Sequence, residues 1–187
     1  MGSCKGKDIV LMRDIVFAFA GHMRSGKSTI GRELADRCGY AYASFGDYIR
    51  SVATKRGLDA HRSTLQELGA QLVRDPVGLT QAVISNVPNF RCGDGLVIDG
   101  VRHLAVNEEL RKVVAPWRYL LVFVDTEESI RMTRMASDIT TEDVAAAMEH
   151  EAESEIDGLR PVADILIASD ESIATTSLVK RVLDLAN

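Results

Sequence analysis

Cysteine is scarce in this chain of 187 residues: three, at Cys4, Cys38 and Cys92, odd in number and widely spaced. That excludes a disulfide framework and any metal or redox cysteine pattern, and it reads as free thiols in a reducing compartment. Long apolar runs are missing too. None approaches the roughly 20 residues of a membrane helix. The stretch from Met1 to Lys7 also lacks the apolar core of a signal peptide. The expectation is a cytoplasmic protein without membrane contact. Positive charge is not in excess either: 22 Lys and Arg stand against 27 Asp and Glu, a net charge of −5. Phosphate-backbone binders concentrate positive charge, so nucleic acid is not expected as a partner. Repeats, low-complexity segments and linkers are lacking as well. What is left is one domain over residues 1–187, with residues 1–14 as either a flexible lead-in or a short edge strand. The 46% hydrophobic and 26% charged fractions are ordinary for a chain long enough to bury a full core.

What the chain does have is Gly21-His22-Met23-Arg24-Ser25-Gly26-Lys27-Ser28, which fits the phosphate-loop pattern G-x-x-x-x-G-K-[ST] throughout. An apolar run, Ile15 to Ala20, precedes it, and a helix-like pattern starting at Thr29 follows. Strand, glycine turn and helix are the setting the motif needs; a chance match in a glycine turn would not bring both. Successive backbone N–H groups point inward in such a loop, and the helix N-terminus adds a positive dipole end. The expected ligand is a nucleoside triphosphate bound by residues 21–29, Gly21 to Thr29. Lys27 would reach the β- and γ-phosphates and the Ser28 hydroxyl would take one Mg²⁺ position.

The remaining pattern alternates strands with helices. A helix runs to about Cys38 and stops at Gly39, followed by a strand over Tyr40 to Ser44. Helices are expected from Asp47 to about Gly57, through Leu65 to Val73, and from Pro76 to Pro88. Leu96 to Asp99 reads as a buried strand ending in a carboxylate, with a helix over 105–114 after it. Tyr119 to Asp125 is the clearest strand, leading into a helix from Glu127 to Ala136 and a capped helix opening at Thr140. Residues 149–157 are acidic and read as a solvated helix face. A strand over Asp164 to Ala168 and a helix from Ser172 to Leu185 close the chain. Such alternation predicts a parallel sheet covered on both faces.

Two further groups carry chemistry. Asp99-Gly100-Val101-Arg102 puts a carboxylate at the carboxyl end of a central strand, where the ligand crevice of such folds lies. Asp99 can there hold Mg²⁺ through its water shell, and Arg102 can fork onto a phosphate. In Ser44-Phe45-Gly46-Asp47-Tyr48-Ile49-Arg50, Asp47 sits near the N-cap of its helix, which alone could explain it, and Arg50 points one turn later toward the same crevice. His22 and His103 flank the site in no metal spacing and read as polar loop residues.

The segment Ser44 to Arg50 resembles the S-T-G-D-x-x-R of adenylate kinases, and Asp99-Gly100-Val101-Arg102 resembles their D-G-F-P-R, one residue shorter. The short D-G-x-R and Ala163-Asp164-Ile165-Leu166-Ile167 are more similar to the dephospho-CoA kinase-like branch. Arg62-x-x-x-Gln66-x-x-Gly69 with Arg74 is similar to the acceptor-side helix of phage-type deoxynucleoside monophosphate kinases. The resemblance covers residues 15–185. It implies a phosphate-loop three-layer α/β/α sandwich, a five-stranded parallel sheet of order 2-3-1-4-5, and a short helical lid over about 131–160. It also implies ATP and Mg²⁺. By the same resemblance Arg50 and Arg102 hold the acceptor's phosphate, Gln66 and Arg74 line its pocket, and Ser44 and Asp47 stand on that side. Arg134 lies over the donor base or phosphates, and Ser169 and Asp170 touch the donor base. Lys27 and Arg24 would stabilise the transferring group.

Departures from the pattern shape the alternatives. Adenylate kinases carry a lid arginine at the place of Asp138, so Arg24, Arg131 or Arg160 must substitute or catalysis is weak. The glutamine that reads AMP is replaced by Val106. The resemblance implies transfer of the γ-phosphoryl of ATP to a nucleotide-type acceptor, a nucleoside or deoxynucleoside monophosphate in the first place. The alternatives are a hydroxyl acceptor with Asp47 as base, and an ATP-binding module that hydrolyses slowly and acts through a partner. Monomer and homodimer both stay open.

Overall fold

In the computed structural model, residues 12–88, 94–136, 155–170 and 172–187 are described. Cys4, Cys92, the start of the lead-in, Asp138, the helix expected from Thr140 and most of the acidic stretch and lid lie outside them.

The strands are β1 (Ile15–Ala20), β2 (Ala41–Ser44), β3 (Leu96–Val101), β4 (Arg118–Asp125) and β5 (Ile165–Ala168). The helices are α1 (Lys27–Cys38), α2 (Phe45–Lys55), α3 (Arg62–Leu72), α4 (Pro76–Ser85), α5 (Leu104–Val113), α6 (Glu128–Ala136) and α7 (Thr175–Ala186). The strands form one five-stranded sheet in the order β2-β3-β1-β4-β5, parallel at every pairing, as expected. All six residues of β1 are buried, the mark of a parallel strand covered on both faces.

Side chains alternate across the sheet, so each strand feeds two cores. Val16, Ala18, Ile98, Leu121 and Phe123 face one layer with Val83 and Leu110 of α4 and α5. Phe17, Phe19, Val97, Val122 and Val124 face the other, against Leu34 of α1 and Val179 and Val182 of α7.

Local chemistry sets the boundaries. Gly39 adopts φ 65°, ψ 30° and ends α1 as a left-handed cap. Asp75 caps α4 by accepting from Gly78 N at 2.9 Å, with Pro76 in the first turn. The N-cap of α2 is Ser44, whose Oγ accepts from Asp47 N at 3.2 Å, so Asp47 lies in the first turn, near the cap as expected. Strand β3 also runs two residues past Asp99, because Gly100 at φ 90° makes a bulge. Phe19 pairs with Asp99 and Ala20 with Val101. At the end of the acidic stretch Glu155 and Asp157 are exposed, while the apolar residues between and after them turn inward. Ile156–Val162 is a 3₁₀ helix that buries Ile156 and Leu159 completely.

Candidate active site

Backbone conformation builds the loop between β1 and α1. Gly21 has φ 139°, and a Cβ there would lie 2.5 Å from the Val124 carbonyl oxygen. Arg24 takes φ 62° without being glycine, a strained conformation of the kind that clusters at ligand clamps. Gly26, at φ 89°, is the N-cap of α1 and offers no side chain to its first-turn N–H groups, which stay available to an anion. Lys27 is buried, and its Nζ donates to the His22 carbonyl at 3.1 Å, so the ammonium lies over the loop. The loop is braced from behind: Thr126 Oγ1 donates to Ser25 O at 3.0 Å, and Arg134 Nη1 to Arg24 O at 3.1 Å.

At the first turn of α1, Ser28 Oγ donates to Asp99 Oδ2 at 2.7 Å. Tyr42 of β2 donates its phenol O–H to the same oxygen at 3.1 Å. Asp99 is buried at 5% exposure, and among the described residues its Oδ1 has no hydrogen-bond partner. A buried carboxylate oxygen left over beside a serine hydroxyl fits a hard divalent cation. Among the described residues no cluster of three or more His, Cys, Asp or Glu could cage a metal. The donor set thus suits an ion that takes its other ligands from phosphates and water, as Mg²⁺ does.

Two cavities open on either side of the loop. One, of about 530 Å³, is lined by the expected donor-side residues Arg24, Gly26, Thr29, Arg134, Ser169 and Asp170. Asp170 Oδ1 accepts from the Ser172 hydroxyl and backbone N–H, and these bonds hold its carboxyl below the usual range. The other cavity, of about 620 Å³, lies between α2, α3 and the end of β3, with Arg50, Gln66, Arg74 and Arg102 on its walls. Ser44 and Asp47 are not on them. Ser44 caps α2, and the Asp47 carboxylate is gripped by Arg50 Nη1 at 2.9 Å and Arg32 Nη2 at 3.1 Å.

Three polar or charged lining residues had no assigned role in the sequence: Arg62, His103 and Glu155. Arg62 was legible in principle, since it stands four positions before Gln66 on one face of α3. The His103–Glu155 pair was not, because 52 residues separate Nδ1 from the Oε2 it meets at 2.7 Å. Of the arginines named as lid substitutes, Arg131 is buried with Nε on Thr126 O at 3.3 Å. Arg160 is held by Asp125 Oδ2 at 2.7 Å. Arg24 alone of the three lines the donor-side cavity. The segment 155–160 is tied to three loops at once, since Asp157 also meets His22 Nε2 at 2.8 Å.

Comparison with known proteins adds the lineage. The family model described as an AAA domain matches residues 18–156. A UPF0200 protein of Pyrobaculum aerophilum is 30% identical over 120 residues, 64% of each chain. A cytidylate kinase of Symbiobacterium thermophilum is 28% identical over 124 residues, 63% of this chain and 52% of the relative. The chain therefore spans less than two thirds of the length of these curated relatives. A crystal structure of shikimate kinase from Bacteroides thetaiotaomicron superposes with a TM-score of 0.59, covering 94% of this chain and 99% of that one at 15% identity. At that identity the likeness is one of fold.

Proposed function

We propose that this chain, which belongs to the AAA-domain family by a match over residues 18–156, is a P-loop kinase-like phosphotransferase that moves the γ-phosphoryl of ATP to a nucleoside or deoxynucleoside monophosphate. The observation that carries this reading is the larger cavity, where Arg50, Arg62, Arg74 and Arg102 rim a pocket otherwise walled by groups such as Phe45, Leu65 and Val73. That combination suits a ligand with an anionic end and a flat apolar body. The family's cytidylate kinase relatives point the same way.

In this reading ATP lies with its phosphates on residues 21–29 and its base toward Arg134, Ser169 and Asp170. Lys27 and Arg24 offset charge on the transferring group. Ser28 and Asp99 would hold Mg²⁺, which when bound would supply positive charge to offset that of the phosphates. Arg50 and Arg102 align the acceptor's phosphate, one of whose oxygens bonds to the γ-phosphorus as the bridge to the β-phosphate breaks and ADP departs. Such an oxygen is already ionised near neutral pH and needs no base.

A second reading rests on the His103–Glu155 pair in the same cavity. A hydroxyl acceptor gains from a base within reach, and Glu155 at Nδ1 leaves His103 Nε2 to take the proton.

The test is ADP release from Mg-ATP against nucleoside and deoxynucleoside monophosphates, dephospho-CoA, simple alcohols and a no-acceptor control. Strong stimulation by one monophosphate is the expected result. Stimulation only by hydroxyl compounds selects the second reading. A flat panel with slow hydrolysis overturns both in favour of a partner-dependent ATPase.

A further inference from the structure

Tyr42 has no part in the scheme above, yet its phenol ends on the carboxylate that scheme depends on. It lies on β2 opposite Val97 of β3, and Asp99 is two residues further along β3, on the same face of the sheet. That face carries α1, whose first turn brings Ser28 to the same point. The carboxylate of Asp99 therefore receives two donors on one oxygen, Ser28 Oγ at 2.7 Å and Tyr42 Oη at 3.1 Å, while buried Oδ1 receives none among the described residues. The terminal torsion of an aspartate is broad, so one hydrogen bond leaves the group free to swing; two from different elements fix it. A serine hydroxyl keeps lone pairs for a metal while its proton stays on Asp99. Tyr42 has no such second duty and can hold Oδ2 throughout.

The phenol is itself held. The Arg32 guanidinium sits 4.4 Å from the Tyr42 ring centroid and reaches Asp47 Oδ2 at 3.1 Å. Asp47 Oδ1 in turn takes Arg50 Nη1 at 2.9 Å, and Arg50 lines the acceptor-side cavity.

We propose that Tyr42 is a positioning residue for the metal site: its O–H, braced by Arg32, pins the Asp99 carboxylate so that Oδ1 stays available to the ion and its waters. The inference rests on Ser28 and Asp99 being the metal-holding pair. The rival explanation is that a half-buried tyrosine merely satisfied its hydroxyl with a nearby acceptor.

The two are separated by Mn²⁺ binding to the full chain with a non-hydrolysable ATP analogue, read from the free Mn²⁺ signal in electron paramagnetic resonance. Tyr42→Phe keeps the ring and removes only the donor. The expected result is about a tenfold loss of Mn²⁺ affinity, with metal-free nucleotide affinity and thermal midpoint unchanged. In turnover, the Mg²⁺ concentration for half-maximal rate rises while the acceptor KM does not move. Arg32→Ala gives a smaller loss that adds little in the Tyr42→Phe background, because both act through one hydrogen bond. Wild-type Mn²⁺ affinity in Tyr42→Phe, beside losses in Ser28→Ala and Asp99→Asn, overturns the role of Tyr42 and leaves the metal site standing. Unchanged affinity in all three variants overturns the metal site itself, and the Tyr42 proposal with it. Should Tyr42→Phe lose its thermal transition, Arg32→Ala alone decides: no loss of affinity there overturns the bracing.

Discussion

Ser28 and Asp99 are joined by a hydrogen bond of 2.7 Å across 71 positions of sequence, which fastens the first turn of α1 to the carboxyl half of β3. Asp99→Asn keeps the shape of the side chain and removes its charge. The turnover rate at saturating Mg²⁺ is expected to fall about 10²-fold or more, the scale seen when one preorganised charged or polar group is lost from a transition state. ATP binding measured without metal should hold. A variant with near wild-type turnover would remove Asp99 from the metal site.

Arg102 follows the same strand into the acceptor-side cavity. Arg102→Ala is expected to abolish transfer while leaving ATP affinity intact, as seen by calorimetry beside the ADP-release assay. Equal loss of both would show that Arg102 supports the nucleotide loop and does not clamp the acceptor.

Two glycines with positive φ make a matched pair for stability. At Gly39, with φ 65°, an added Cβ would meet nothing within 4 Å, whereas at Gly21, with φ 139°, it would come 2.5 Å from Val124 O and 2.9 Å from Ser25 Oγ. Gly39→Ala therefore costs about 1 kcal/mol, the conformational term alone. Gly21→Ala adds a clash with backbone and is expected to cost roughly 3 kcal/mol or more. Urea denaturation of both variants checks the order; equal midpoints would contradict it.

Asp47 and His103 separate the two acceptor chemistries. With its carboxylate shared between Arg32 and Arg50, Asp47 is engaged as a counter-ion. Asp47→Asn is expected to change the rate only a few-fold with any acceptor. His103→Gln is expected to be equally mild with a monophosphate but to cost about 10²-fold with a hydroxyl acceptor.

How much of this was legible in the chain follows from the range of the interactions. The strands were, each boundary to within two residues, because buried parallel strands such as Tyr119 to Asp125 read as unbroken apolar runs between helical patterns; their order in the sheet came from the resemblance. The phosphate loop was legible because its geometry is set by residues next to one another. So were Arg50, Gln66, Arg74 and Arg102, which now share one cavity, through short motifs. Tyr42, His103 and Glu155 were not. Each owes its place to a partner 52 or 57 residues away, and no local spacing encodes such a meeting. Asp47 was rightly read as near the N-cap, which is Ser44, three residues earlier.

The bulge at Gly100 has a consequence for how this chain can diversify. Upstream of it, Asp99 is locked in register with Phe19, so the metal-side carboxylate and the phosphate loop cannot shift against each other. Downstream, Arg102 and His103 hang from a kink that already absorbs one unpaired residue. Insertions or deletions of a residue at that point alter the reach of Arg102 without moving Asp99. On the proposed reading, the fold thus separates a fixed engine from an adjustable grip, and a change of length at Gly100 would alter the acceptor side while leaving the phosphate-loop side untouched.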